Sequence, residues 1–221
     1  MSTTRLPRGL YGITPEWDDT ERLLDAVATA ARHGLRVLQL RRKDASPLVR
    51  RRQAVALQSL CRSLGVTFIV NDDWRLAADL GADGVHVGRD DASLTEVRQA
   101  VGSAVIGVSC YNDLALAHRL LAAGADYIAF GAVFPSPTKP QAVRASLPLL
   151  REAATWLRTL PRPRPSLVAI GGVTAENAAP LIEAGVDNIA LITGLFAAAD
   201  IGATAQACQT LFIDSLHTHH D

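Results

Sequence analysis

Short apolar runs alternate with longer Ala-, Leu- and Arg-rich segments eight times along this chain, and that alternation restricts the fold more than any other feature. The runs are LYGIT (10–14), RVLQLR (36–41), TFIVN (67–71), GVHV (84–87), AVIGVS (104–109), YIAFG (127–131), LVAIG (167–171) and NIALI (188–192). Each has the length and apolar character of a buried strand. The segments between them carry helical patterning; TERLLDAVATAARHG, for example, starts at a Thr20 cap and stops at Gly34. Eight such units in 221 residues predict an α/β chain with parallel βα units, closed into a single (β/α)8 barrel over residues 1–221. LGADGVHV, AGADYIAF and AGVDNIAL each put Gly-x-Asp before a strand, read here as a helix stop and a turn. The LPRPRPS stretch (160–166) is a stiff connection, too short to divide domains.

Charge and cysteine content exclude several function classes. Lys plus Arg and Asp plus Glu number 22 each, so no net field draws the chain to nucleic acid or membrane. The basic cluster VRRRQ (49–53) reads as a solvated helix face. Cys61, Cys110 and Cys208 are too few and too far apart for a disulfide framework or a CxxC metal site. No apolar stretch reaches the length of about 18 residues that spans a membrane, and MSTTRLPRGL lacks a signal-peptide core. The expectation is a soluble cytoplasmic protein with small-molecule partners; a homo-oligomer is compatible with the sequence. The HTHHD ending (217–221) is expected to be an unanchored tail.

In such barrels the chemistry gathers at the carboxyl ends of the strands. Strand alternation puts Gln39, Arg41 and Lys43 on one face, with Leu40 and Arg42 pointing away; Arg42 is therefore expected to matter little. Asp72 and Asp91 follow strands three and four, on neighbouring loops, an arrangement that suits Mg2+ bridging carboxylates to phosphates. Asp73, Asp90 and Ser93 are available as helix caps instead. His86 reads either as a ligand-orienting group or as a hydrogen-bonded barrel histidine. After strand five, Gly107 and Ser109 share a face, the glycine making room beneath a hydroxyl. FPSPTK (134–139) offers Ser136, Thr138 and Lys139 as donors to an anion. Gly171 and Gly172 precede a helix expected near Thr174 to Asn177, and Thr193 with Gly194 opens another. Loops after strands seven and eight commonly hold phosphate in these barrels. The mouth thus offers one cationic, metal-supported region and one built from backbone N–H groups, as joining two phosphorylated molecules requires.

Taken in order and spacing, LYGIT, QLRRK, VNDD, GVHVGRDD, GVS, FPSPTK, IGGVTAEN and ALITG resemble the thiamine phosphate synthase family over nearly the whole chain. The resemblance implies a TIM barrel that couples hydroxymethylpyrimidine diphosphate to a thiazole phosphate, releasing pyrophosphate with the help of Mg2+. It implies that Gln39, Arg41, Lys43 and Asn71 contact the pyrimidine diphosphate, and that Asp72 and Asp91 are the magnesium carboxylates. Ser109 matches the hydroxyl beside the pyrimidine and diphosphate. Ser136 and Thr138 match hydroxyls on the thiazole phosphate's side, and Lys139 the lysine that binds the diphosphate. Gly172, Ile192 and Thr193 match the backbone site for the thiazole phosphate. Arg41, Lys43, Ser109 and Lys139 are the residues expected to carry the reaction.

The chain departs from that pattern at four places. Arg89 stands where Gln is frequent, Ser136 where Thr is common and Thr193 where Ser is common. VRASLPLL (143–150) lacks the glycine that many relatives carry there. Two competing readings are a thiazole tautomerase-like isomerase and a catalytically silent phosphate-binding barrel. The first would carry a histidine just after Gly-x-Ser, where this chain has Cys110 and Tyr111.

Overall fold

Capping residues set where the helices begin and end. Ser46 accepts from Val49 N–H ahead of Pro47, and Gly65 closes the same helix at φ 68°. Asp73, Asp113 and Ser146 cap three further helices through their side chains. The first helix begins one residue earlier than its sequence suggests: Asp19, not Thr20, is the cap, and its carboxylate accepts from Arg22 N–H. A carboxylate also suits the positive end of the helix dipole.

The computed structural model describes residues 3–88, 93–135 and 143–217. Its first half runs β1 (Gly9–Ile13), α1 (Thr20–Arg32), β2 (Leu35–Leu40), α2 (Pro47–Leu64), β3 (Thr67–Asn71), α3 (Trp74–Leu80), β4 (Gly84–Val87) and α4 (Leu94–Val101). The second half runs β5 (Val105–Tyr111), α5 (Leu114–Ala122), β6 (Tyr127–Phe130), α6 (Leu147–Arg158), β7 (Ser166–Ile170), α7 (Ala179–Glu183), β8 (Asn188–Leu191), α8 (Thr193–Phe196) and α9 (Ile201–His217). All eight apolar runs are strands; β3 and β4 keep the expected ends, and the others shift by one or two residues. The strands are parallel and close in chain order, β8 pairing with β1. The (β/α)8 barrel is therefore complete. Helix α9 continues to His217, so the expected tail begins inside a helix, and residues 218–221 lie outside the described residues.

Alternation along the strands separates two apolar layers. Inward residues Tyr11, Ile13, Val37, Ile69, Tyr127, Ala129, Val168 and Ala190 pack with Leu6 inside the barrel. Outward residues such as Leu10, Leu38, Phe68, Val85, Ile106 and Ile128 pack against the helices.

The Gly-x-Asp echo has a second purpose beyond the turn. Ahead of β4, β6 and β8, the aspartates Asp83, Asp126 and Asp187 each fasten two neighbouring strands at the amino-terminal end of the barrel. Their carboxylates accept from Phe68, Ile106 and Leu167 N–H at 2.8, 2.9 and 2.8 Å. Their backbone carbonyls accept from Val105, Ser166 and Gly9 N–H at 2.9, 3.2 and 3.0 Å. Asp187 is also gripped by both terminal nitrogens of Arg164, at 2.8 Å each, and is buried, whereas Asp83 is exposed. Loss of a buried carboxylate strands its partners without water. Asp187→Ala should therefore destabilise the fold by about 3 kcal/mol, and Asp83→Ala by about 1 kcal/mol. Urea unfolding of the two variants measures the difference; equal losses would refute the role of burial.

Candidate functional site

Inside the barrel, beneath the loops at the carboxyl ends of the strands, inward polar residues meet in a single hydrogen-bonded chain. Gln39 Nε2 donates to the Tyr11 hydroxyl at 2.8 Å. The Tyr11 and Tyr127 hydroxyls lie 2.9 Å apart. Tyr127 Oη is 2.9 Å from His86 Nδ1, and His86 Nε2 is 2.9 Å from Ser109 Oγ. His86 is thus the hydrogen-bonded barrel histidine of the two readings. Gly107 makes room, but for Tyr127: a Cβ there would sit 1.8 Å from Tyr127 Cζ. Burial raises both tyrosine hydroxyls above their ordinary range, so they stay protonated. Neither tyrosine stood out in the sequence, where inward aromatics read as core.

The loop after β2 is placed by contacts rather than by the strand pleat, because the strand ends at Leu40. Buried Thr14 takes Arg41 N–H on its hydroxyl at 2.9 Å. Glu16 then ties the loop together. One of its oxygens accepts Lys43 N–H at 2.9 Å and lies 3.6 Å from Arg41 Nη1, while the other is 3.7 Å from Arg42 Nη1. Arg42 does not simply point away: its side chain is only 2% exposed, pairs with Asp18, and meets the same Glu16 carboxylate as Arg41. This burial gives Arg42 a part in holding the fold, separate from the small effect on substrate use expected of Arg42→Ala. Glu16 was missed by the sequence reading, since its proximity to the loop arises only when β1 and β2 pair.

Lys43 Nζ reaches Asp72 at 3.5 Å, bringing the β2 and β3 loops together. Asp73, not Asp72, caps α3. Asp72 has φ 61°, a strained setting for a residue with a side chain, held by its N–H on His86 O at 2.8 Å. Asn71 ends β3 in register with His86. Asp91, Arg89, Ser136, Thr138 and Lys139 lie outside the described residues.

Across the mouth, Gly171 and Gly172 take φ 98° and 67°. A Cβ on Gly172 would meet Pro135 O at 2.5 Å, and one on Gly194 would meet Val173 O at 2.4 Å. The loops after β6, β7 and β8 therefore touch backbone to backbone, which glycine alone permits. The helix expected near Thr174 to Asn177 starts later, at Ala179. Asn177 instead ties the turn, accepting Thr174 N–H and donating to Gly172 O, both at 2.9 Å. Thr193 opens α8 as expected, with Ile192 at its cap. Burial pushes the Cys61 and Cys110 thiols up to about 12 and Cys208 to about 11, which removes them as nucleophiles. A surface cavity of about 470 Å³ between α5 and α6 lies at the opposite end of the barrel, away from these groups.

The sequence profile described as thiamine monophosphate synthase matches residues 10–195. Thiamine-phosphate synthase from Bordetella avium is 64% identical over 212 residues, covering 96% of this chain and 98% of that protein. The protein of the same name from Thiobacillus denitrificans is 50% identical over 207 residues, covering 93% and 95% of the two chains. Among solved structures, thiamine phosphate pyrophosphorylase from Pyrococcus furiosus superimposes with a TM-score of 0.83 at 28% identity, covering 96% of this chain and 98% of that one.

The Glu16 cluster yields a graded expectation. Glu16→Ala removes a half-exposed carboxylate and one acceptor, and should cost about 1 kcal/mol. Glu16→Gln keeps an acceptor for Lys43 N–H and should cost less. Arg42→Ala empties a buried position and should cost about 2 kcal/mol or more. Thermal or urea midpoints of the three variants check the order, and an innocuous Arg42→Ala would contradict it.

Proposed function

Because this chain belongs to the thiamine monophosphate synthase family, we propose that its barrel mouth divides the two substrates of that activity between the two regions described above. The protein is a transferase of thiamine biosynthesis. It couples hydroxymethylpyrimidine diphosphate with thiazole phosphate to give thiamine phosphate and pyrophosphate. The observation that supports the assignment of regions is the meeting of Lys43 with Asp72, beside Arg41 and above the chain that ends in Ser109.

On this reading Arg41 and Lys43, with Lys139, receive the diphosphate. Gln39, Asn71 and Ser109 face the pyrimidine and its first phosphate. Ser136, Thr138, Gly172, Ile192 and Thr193 take the thiazole phosphate, the last three through a backbone that glycine has opened. The C–O bond to pyrophosphate breaks and a C–N bond to the thiazole forms. The electron-rich aminopyrimidine can carry positive charge on its methylene carbon while the leaving group departs. Such a path asks for placement and charge neutralisation rather than a general base. That agrees with a site in which the hydroxyls are buried and protonated.

The residues also fit Mg2+. Asp72 offers hard oxygen ligands, its capping duty having passed to Asp73, and Asp91 would be the second carboxylate. Two carboxylates are enough for such an ion, which takes much of its shell from water and phosphate. Bound there, Mg2+ would offset charge on the departing pyrophosphate. A cytoplasmic location is part of the same reading, supported by the absence of any described helix long and apolar enough to cross a membrane.

Incubating the chain with both substrates and Mg2+, and following thiamine phosphate and pyrophosphate, tests the activity. Titrating Mg2+ tests the site. Asp72→Asn and Asp91→Asn should each raise the Mg2+ concentration for half-maximal rate by about tenfold and lower the rate; this corresponds to about 1.4 kcal/mol. Combining them should cost less than the product of the single losses, because both act through one ion. Arg41→Ala should impair use of the pyrimidine diphosphate far more than use of the thiazole phosphate. An unchanged Mg2+ requirement in both aspartate variants would sink the shared site.

A further inference from the structure

The buried hydrogen-bonded chain has a direction, and the direction fixes what Ser109 can do. Its two tyrosines are at most 1% exposed, Gln39 is 4% and His86 8%, so the protons cannot be shared out to bulk water. Each bond needs one donor. Gln39 Nε2 can only donate, and it occupies the Tyr11 oxygen. Tyr11 is buried, and Tyr127 Oη is the acceptor within reach of its one proton, so Tyr11 donates to Tyr127. Tyr127 must give its proton to His86 Nδ1. With Nδ1 accepting, neutral His86 carries its proton on Nε2 and donates it to Ser109 Oγ. The Ser109 hydroxyl proton is left for the mouth.

We propose that His86 is a positioning residue, held by Tyr11 and Tyr127 as the Nε2–H tautomer so that Ser109 presents a proton, not a lone pair, to the bound substrate. The substrate half of this inference rests on Ser109 facing the pyrimidine diphosphate, as above. The two other proton arrangements fit less well. Reversing the chain needs Gln39 to turn its carbonyl to Tyr11 and leaves Ser109 showing lone pairs to an anion flanked by Arg41 and Lys43. A cationic His86 would donate at both ends; one tyrosine proton would then have no acceptor in a buried setting, at substantial cost. The volume is equally restrictive. With no side chain at Gly107, the Tyr127 ring fills that space and stands 5.5 Å, centroid to centroid, from the His86 ring.

The test begins without substrate. In the full chain labelled with 15N at histidine, long-range 1H–15N correlation at pH 7.5 reads the tautomer, the His86 signals being identified by their loss in His86→Gln. An unprotonated Nδ1 and a protonated Nε2 are expected; an Nδ1–H tautomer or an imidazolium overturns the proposal. Tyr127→Phe should replace the fixed tautomer with an averaged one. Tyr11→Phe leaves Tyr127 able to donate, so the tautomer should persist, and its loss would count against the assigned direction.

Kinetics then links the tautomer to the reaction. Tyr127→Phe should lower kcat by about threefold to tenfold, the value of one hydrogen bond. In a Ser109→Ala background the same change should cost less than twofold. A full, undiminished loss in that background would overturn action through Ser109. Full activity of Ser109→Ala alone would overturn the substrate role assigned to its hydroxyl, while the tautomer measurement would still stand or fall separately.

Discussion

Closure of the parallel sheet governs everything else in this molecule. With β8 bonded to β1 no edge remains, and each strand must send alternate side chains into one narrow interior. Polar groups are admitted there only if they satisfy one another. Gln39, Tyr11, Tyr127, His86 and Ser109 meet that condition by bonding in series across five strands. The interior is thereby divided: an apolar plug beneath and a fixed polar layer under the opening. At the far end the aspartates ahead of β4, β6 and β8 hold strand bottoms together, so fastening and chemistry are kept at opposite ends of the barrel.

How much of this was legible in the sequence depends on the range of the interactions. Strands β1 to β8 were legible because apolar run length is a local property. The Gly-x-Asp echo was visible, but its meaning was not, since the carboxylates reach N–H groups on β3, β5 and β7, about 15 to 20 residues earlier in the chain. Tyr11 and Tyr127 are 116 residues apart; each alone looks like core, and only the pairing of their hydroxyls shows otherwise. The burial of Arg42 was not legible in the sequence. Alternation says nothing about which groups a side chain will meet, which here include Asp18 and Glu16 from the preceding loop. The helix expected near Thr174 failed for a related reason: Asn177 spends its side chain closing the glycine turn.

Among the described residues, the two cations Arg41 and Lys43 each meet a carboxylate. Arg41 lies 3.6 Å from Glu16 and Lys43 3.5 Å from Asp72. These groups are partly exposed, so solvent holds each attraction to about 1 kcal/mol or less, weak enough for an arriving anion to displace. A diphosphate arriving alone would compete with both carboxylates for the cations and would then face Asp72 as a like charge. If it arrived with a divalent cation, Asp72 would serve as a ligand rather than a competitor, and Lys43 could turn to phosphate oxygen. Glu16 differs: by accepting the Lys43 N–H it anchors the loop through the backbone, so it can give up Arg41 without releasing the loop. On the proposed reading, one carboxylate supports the cations and the other would support an ion arriving with the substrate. This division is the physical case for reading Mg2+ into the site.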